Sequence, residues 1–245
     1  MRRVLMACGA LLLVAGPAHA QADRLTMVAN GGALVAPGSF GQDFTLTRNL
    51  EPAPVTTDLS LATGGAFEAG VRVRVGRRLG IGVVGFAASS TASGTLEAQI
   101  PHPLYFNKPR DVSGDLSDLT RKERGAHVEL AVPLHSSDGG DLTLFGGPSY
   151  FDIEQDLVTD LSYSDSYPFD TATLDDTTSS TVKEAGYGFN VGLEYARQIS
   201  RSARVALLGR YSRGTLTLSA AEGNEAEVHA GGIFVGVGLR FGFGR

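Results

Sequence analysis

The chain lacks tryptophan altogether and carries one cysteine among its 245 residues. That cysteine, Cys8, stands in a leader made of Arg2 and Arg3, the apolar run Val4 to Ala15, and the small-x-small site Ala18-His19-Ala20. These are the three parts of a secretory signal, with an apolar core too short to span a bilayer. Most of the apolar run follows Cys8, which excludes the cysteine as a lipid-attachment site. Cleavage after Ala20 leaves 225 residues without a cysteine, so the expected mature domain, 21–245, folds without disulfides. A chain of that size buries enough surface to do so.

Two further absences narrow the class. Beyond the leader no run approaches the 18 apolar residues of a helical span, so a membrane location requires a closed barrel. No excess of basic charge exists either. The formal net charge is −5, and losing the two leader arginines makes it −7, which excludes nucleic acid as a partner. No window of the mature chain shows sustained helical periodicity bounded by caps.

What the chain does have is glycine, 32 in all, and alternation. From Ile233 the odd positions are Ile233, Val235, Val237, Leu239, Phe241 and Phe243; the even ones are Phe234, Gly236, Gly238, Arg240 and Gly242. Side chains alternate across a strand, so this segment has one greasy face and one small, partly polar face. The pattern recurs. Phe67, Ala69, Val71, Val73 and Val75 oppose Glu68, Gly70, Arg72 and Arg74, while Val128, Leu130, Val132 and Leu134 oppose His127, Glu129 and Ala131. Tyr187, Phe189, Val191, Leu193 and Tyr195 oppose Gly186, Gly188, Asn190, Gly192 and Glu194; Val205, Leu207 and Tyr211 oppose Ala206, Arg210 and Ser212. Leu79 onward and Asp141 to about Leu157 are further strands, the latter with a bulge expected at Gly146-Gly147-Pro148, where its apolar phase shifts. Leu25–Leu50 is read as one interrupted strand, which makes eight; subdividing it would make ten.

Connections near 76–79, 135–141 and 198–203 are short. Those near 51–63, 91–124 and 160–181 read as long loops, with Pro52 and Pro54 opposing strand pairing in the first. Short turns on one rim and long loops on the other predict an all-β, transmembrane, antiparallel up-and-down barrel, with both termini periplasmic and the loops extracellular. Eight strands leave a narrow polar lumen that side chains fill. Its expected occupants are Glu68, Arg72, Arg74, His127, Glu129, Asn190, Glu194, Arg210 and Arg240. Buried charges must pair, so these predict a salt-bridged plug and no open water channel.

Several motifs reduce to this architecture. Gly80-Ile81-Gly82-Val83-Val84-Gly85 matches the dinucleotide fingerprint in form, but the glycines lie inside a strand and open no helix. They read as small lumen residues. His127 with Glu129 is read as a structural polar pair, because no inward serine close in sequence completes a nucleophile set, and His102 and His229 are read as structural too. His135-Ser136-Ser137 is set aside because it falls in a predicted periplasmic turn and not at an outer-leaflet surface. The acids Asp156, Asp160, Asp165, Asp170, Asp175 and Asp176 match no calcium loop. Lys108, Arg110, Arg121, Lys122 and Arg124 are candidates to touch lipid phosphate or that acidic segment. No catalytic, cofactor or metal site is expected.

Over residues 25–243 the pattern resembles the small bacterial outer-membrane barrels of the OmpA transmembrane-domain and OmpX type. The segments Ile100-Pro101-His102-Pro103-Leu104-Tyr105-Phe106-Asn107-Lys108-Pro109-Arg110, Phe145-Gly146-Gly147-Pro148-Ser149 and Gln155-Asp156-Leu157-Val158-Thr159 are similar to a group of outer-membrane barrels with no assigned activity. The resemblance implies a fold and a bacterial outer-membrane location only. The expectation that goes with them is a monomer among membrane lipid and lipopolysaccharide, in a non-enzymatic structural or surface-interaction role, with a lipid-modifying enzyme or a narrow channel as alternatives. In such barrels the assembly machinery reads a final aromatic; Phe243 fits, followed by Gly244 and Arg245.

Overall fold

The computed structural model describes residues 24–36, 38–76, 79–137, 140–220 and 224–243. The expected leader lies outside them. Among the described residues the regular elements are strands: β1 (Leu25–Val35), β2 (Ser39–Arg48), β3 (Glu51–Leu61), β4 (Gly64–Val75), β5 (Leu79–Pro101), β6 (Pro109–Ser137), β7 (Gly140–Asp165), β8 (Ala172–Gln198), β9 (Ala203–Ala220) and β10 (Asn224–Phe243). All pairings are antiparallel, and the order β1-β4-β5-β6-β7-β8-β9-β10 closes on itself as a ring of eight. The seam is the segment first singled out: β10 pairs with β1 from Leu25↔Phe243 to Val35↔Ile233.

The remaining two strands lengthen the wall without widening the ring. β4 covers β5 from Val75↔Leu79 to Gly65↔Ser89, and β3 takes over the same flank from Leu61↔Ala92 to Val55↔Ala98. β2 pairs with β3 as β1 pairs with β4. Residues 25–48 are therefore one interrupted stave, and 51–75 another. The expected loop at 51–63 is strand instead. Pro52 and Pro54 are tolerated because pairing with β5 begins only at Val55, leaving their flank an edge.

The other two expected loops are strand as well. β5 runs 23 residues, β6 29, β7 26 and β8 27, while crossing a membrane takes about 9–11. Residues 91–101 pair with 109–120, and 160–165 with 172–178, as extensions of the wall. Their sequences lack a greasy outer face because they have left the lipid. In the lower half, Ile81, Val83, Val128, Leu130, Val191, Leu193, Val235 and Val237 point outward and are exposed. Farther up, Leu96, Ile100, Leu157, Leu218 and Val228 point inward and are fully buried, in one apolar core with Phe40 and Phe44 of β2. The polarity of the wall inverts.

That inversion explains the apolar phase shift in β7. Register against β8 is unbroken from Asp141↔Ala196 to Val158↔Ser179, so no bulge exists at Gly146–Pro148. Phe145, Phe151, Ile153 and Leu157 all face inward. The environment that wants apolar groups changes sides, and the strand does not turn. Aromatics mark the band's edges, as interfacial belts do. Tyr187 and Tyr195 bound it on β8, with Tyr150 beside Tyr187 at 5.6 Å between ring centroids. Above Ile233, β10 parts from β1 at Gly231 and Gly232, with φ of 85° and 139°. A Cβ on Gly232 would come within 2.2 Å of the Val35 carbonyl oxygen.

The inversion makes the cost of a surface charge depend on height. Val191→Arg in the outer band is expected to destabilise the barrel by about 2–4 kcal/mol. Thr95→Arg, outward on the extended part of β5, is expected to stay within about 0.5 kcal/mol. Urea titration of barrels refolded into lipid vesicles checks both; equal costs would place the band elsewhere.

Candidate functional site

The alternation that turns aliphatics outward in the lower half turns charges inward, and six strands bring them to one level. Asn30 comes from β1, Glu68 and Arg72 from β4, Glu129 from β6, Glu194 from β8, Arg210 from β9 and Arg240 from β10. They form a closed circuit. Asn30 donates to Glu68 at 3.0 Å, Arg210 lies 3.3 Å from Glu68 and 2.6 Å from Glu129, and Arg72 donates to Glu129 at 3.0 Å. Arg72 reaches Glu194 at 3.5 Å, Arg240 bonds Glu194 through Nη2 at 2.8 Å and Nε at 3.1 Å, and Arg240 Nη1 returns to Asn30 at 2.7 Å. Three guanidiniums balance three carboxylates. Glu129 is wholly buried, and Glu68, Arg210 and Arg240 are nearly so.

The remaining two staves shape the space. On β5, Gly80 and Gly82 lie beneath the Arg72 side chain, where a Cβ on Gly80 would already touch it at 3.4 Å. Gly80 and Gly82 thus make room for a crossing arginine, whereas Gly85, expected in the lumen, faces outward. On β7, Phe145 sits between the guanidiniums of Arg210 and Arg72, 5.1 and 5.7 Å from its ring centroid. Gly192 admits that ring, since a Cβ there would meet it at 2.4 Å. A vestibule at the short-turn end passes Arg74 and Arg204 and reaches Arg72, Glu194 and Arg240.

Two of the expected lumen residues form a separate layer. His127 Nδ1 lies 2.8 Å from Ser149 Oγ, and Asn190 donates to the same hydroxyl at 3.0 Å. The imidazole stacks on Phe86, centroids 4.5 Å apart. Arg74 joins neither group; it is exposed at the short-turn rim, where its backbone N–H bonds the Arg24 carbonyl. It lies one strand step too near the end of the wall to point into a closed lumen.

Sequence reasoning missed Asn30, Ser149 and a second buried ion pair, Arg121 with Glu123 at 2.7 Å. Glu123 Oε2 accepts from the Gly231 N–H at 2.9 Å, which ties β6 to β10 across the interior. A signal existed: Arg121 and Glu123 continue the inward phase of His127 and Glu129, but they lay in a segment read as loop. Lys122 and Arg124, in the opposite phase, face out and are exposed.

At the hairpin end the tips are tied together. Asn49 donates to the Pro101 carbonyl at 2.9 Å, the Asn107 N–H bonds Glu51 at 3.0 Å, and Arg48 pairs with Asp160. Buried Arg110 bonds Asp165 at 2.6 Å and the Pro101 carbonyl at 3.1 Å. Lys108 bonds Asp170 at 2.6 Å, and that hydrogen bond, then its charge, holds the Asp170 carboxyl below the usual range. The basic segment and the acidic segment do meet. Buried His102 accepts from the Leu104 N–H at 3.1 Å. The platform leaves Leu50, Leu104, Tyr105, Phe106 and Tyr167 in solvent. His229 is bonded to Arg213 on the outer face, and His135 is exposed near the short-turn end. Among the described residues no group of three or more His, Cys, Asp or Glu is placed to hold a metal ion.

No family model matches the chain, and no curated protein matches it. Solved structures do. The outer-membrane protein OprG from Pseudomonas aeruginosa is similar with TM-score 0.48 and 11% identity, covering 90% of this chain and 98% of that one. The outer-membrane protease OmpT from Escherichia coli gives TM-score 0.47 and 10% identity over 92% and 99%. Neisserial surface protein A gives 0.41 and 10% over 91% and 100%. Ring closure, the band and the circuit above rest on this chain's own geometry.

The circuit sets a stability expectation. Arg210→Met leaves Glu68 and Glu129 buried with a lost partner and is expected to cost about 3–5 kcal/mol. Arg74→Met, at the rim, is expected to stay within about 0.5 kcal/mol. Denaturant unfolding of the two refolded variants measures the difference, and a mild Arg210 variant would show that the lumen is wetter than the geometry implies.

Proposed function

We propose that this chain is a non-enzymatic protein of the bacterial outer membrane that acts through its outer surfaces, chiefly the joined hairpin tips. On this reading the short-turn end and both termini are periplasmic and the long hairpins stand outside the cell. The observation that carries it is the doubly closed interior. The balanced charge circuit fills the lower lumen, and an apolar core fills the upper half above it. What remains for contact is the tip platform, whose exposed aromatics suit an apolar protein or lipid surface. Outward Phe241 and Phe243 on the last strand suit recognition by the barrel assembly machinery.

A catalytic reading has one observation in its favour, the Ser149–His127 pair. A lipid or peptide substrate needs a cleft of some hundreds of Å³. The enclosed cavity beside His127 holds about 20 Å³, room for a single water. Ser149 is 3% exposed, and its hydroxyl accepts from Asn190. The pair is better read as a polar tie between β6, β7 and β8.

Two measurements test the proposal. In planar bilayers the purified barrel is expected to give no stable, large conductance steps; such steps would refute the closed lumen. Orientation is read in intact cells with a membrane-impermeant maleimide, since residues 21–245 hold no native cysteine. Tyr167→Cys at a hairpin tip should label and Ser200→Cys in a short turn should not; the reverse pattern would invert the topology.

A further inference from the structure

The outer wall is not uniform around the ring. On β8, β9 and β10 the band is bulky, with Tyr187, Phe189, Val191, Tyr211 and Val235. Across β4, β5 and β6 it is hollowed at its upper edge. The cross-strand row Ala69–Gly85–Ala126 has no side chain larger than a methyl group, and the next row up is Phe67–Ala87–Arg124. Above that comes Gly65–Ser89–Lys122. A shallow groove results, lined by Gly65, Phe67, Ala87, Ser89, Lys122 and Arg124, and its floor of small residues runs down into the lipid-facing band.

Two cations stand at the top of that trough. Beside them on β7 are Asp152, opposite Arg124, and Glu154, opposite Lys122. Glu154 is taken up by Lys183 at 2.7 Å and stands 3.9 Å from Arg124. Three cations thus face two carboxylates, and Lys122 makes no ion pair among the described residues. We propose that this corner binds a phosphate-bearing, acylated lipid of the surrounding leaflet. The phosphate would sit on Lys122 and the Arg124 guanidinium, whose fork matches phosphate oxygens. An acyl chain would lie along Ala87, Gly85, Ala69 and Ala126. A free anion would use the cations but leave the trough empty, whereas a phosphorylated lipid fills both. The proposal rests on the reading that the apolar band lies in the outer membrane with the hairpins outward, where lipopolysaccharide is the amphiphile of this chemistry.

The test uses the full mature chain refolded in neutral detergent, with lipopolysaccharide as probe and native mass spectrometry as readout. Retention of the lipid is expected to fall at least tenfold in the double variant Lys122→Ser/Arg124→Ser. It should fall also in Ala87→Leu, which fills the trough and keeps both charges, and for dephosphorylated lipopolysaccharide. Arg74→Ser, which removes an exposed cation at the short-turn rim, should bind as the parent does. Equal retention by the double variant, or by the dephosphorylated lipid, would overturn the site. Displacement by millimolar inorganic phosphate would overturn its lipid identity. Heat-modifiable migration and insertion into vesicles are recorded in parallel. Their loss in the parent chain would refute the membrane reading, while intact insertion without lipid retention would refute the site alone.

Discussion

A ring of eight strands encloses only as much space as its own side chains fill, and that narrowness governs the rest of the molecule. No water column separates one wall from another, so an inward charge meets charges from strands opposite. Glu129 of β6 is reached from β4 by Arg72 and from β9 by Arg210. Deprived of water, such groups are tolerable only when every one has a counter-charge within hydrogen-bond distance. Narrowness explains the small residues as well. Arg72 passes where Gly80 and Gly82 leave room, and Phe145 fits where Gly192 does.

The same wall meets two different surroundings along its length, and its two faces answer by exchanging roles. Inside the bilayer the apolar atoms belong outside, and the interior is left with polar groups that must satisfy one another. Beyond the bilayer water lies outside, the hydrophobic effect acts inward, and the interior becomes an ordinary core of Leu96, Ile100, Leu157, Leu218 and Val228. Strands of 23–29 residues run through both regimes, and in β7 the register against β8 is unbroken from Asp141 to Val158, across the change-over. The Arg121–Glu123 pair sits near the change-over, holding β6 to β10 where the latter leaves β1.

This is also why the barrel's lower half was legible in the sequence and its upper half was not. In the band the outer face is uniformly aliphatic or aromatic, so Ile233 to Phe243 and Tyr187 to Tyr195 announce themselves, and the charges opposite them are read as inward. Higher up the inward residues include Ala92, Ala98, Ala226 and Ala230, and the outward ones are Thr, Ser and Asp. That contrast is weak, and such composition resembles a loop. The bulge expected at Gly146–Pro148 has the same origin, since a change of face and a change of environment produce one pattern. Ser149 could not be paired with His127 from spacing, because the contact depends on the β6–β7 register, in which the two residues are directly opposed.

The hairpin end shows a different balance of forces. Leu50 has φ of 69° and is 89% exposed; Phe169 has the same φ beside exposed Tyr167. A bulky non-glycine residue in this left-handed region costs of order 1–3 kcal/mol, and an exposed leucine recovers nothing by burial. Around them, buried Arg110 and the Lys108–Asp170 and Asn49–Pro101 bonds hold the tips in place. Folding alone would be served as well by glycine or asparagine at the turn. On the proposed role of the tips, an outside surface would recover what the isolated chain does not. Between the vestibule and the tips the interior is closed by the charge circuit and the apolar core, so the polypeptide left uncovered there is the outer face of the wall.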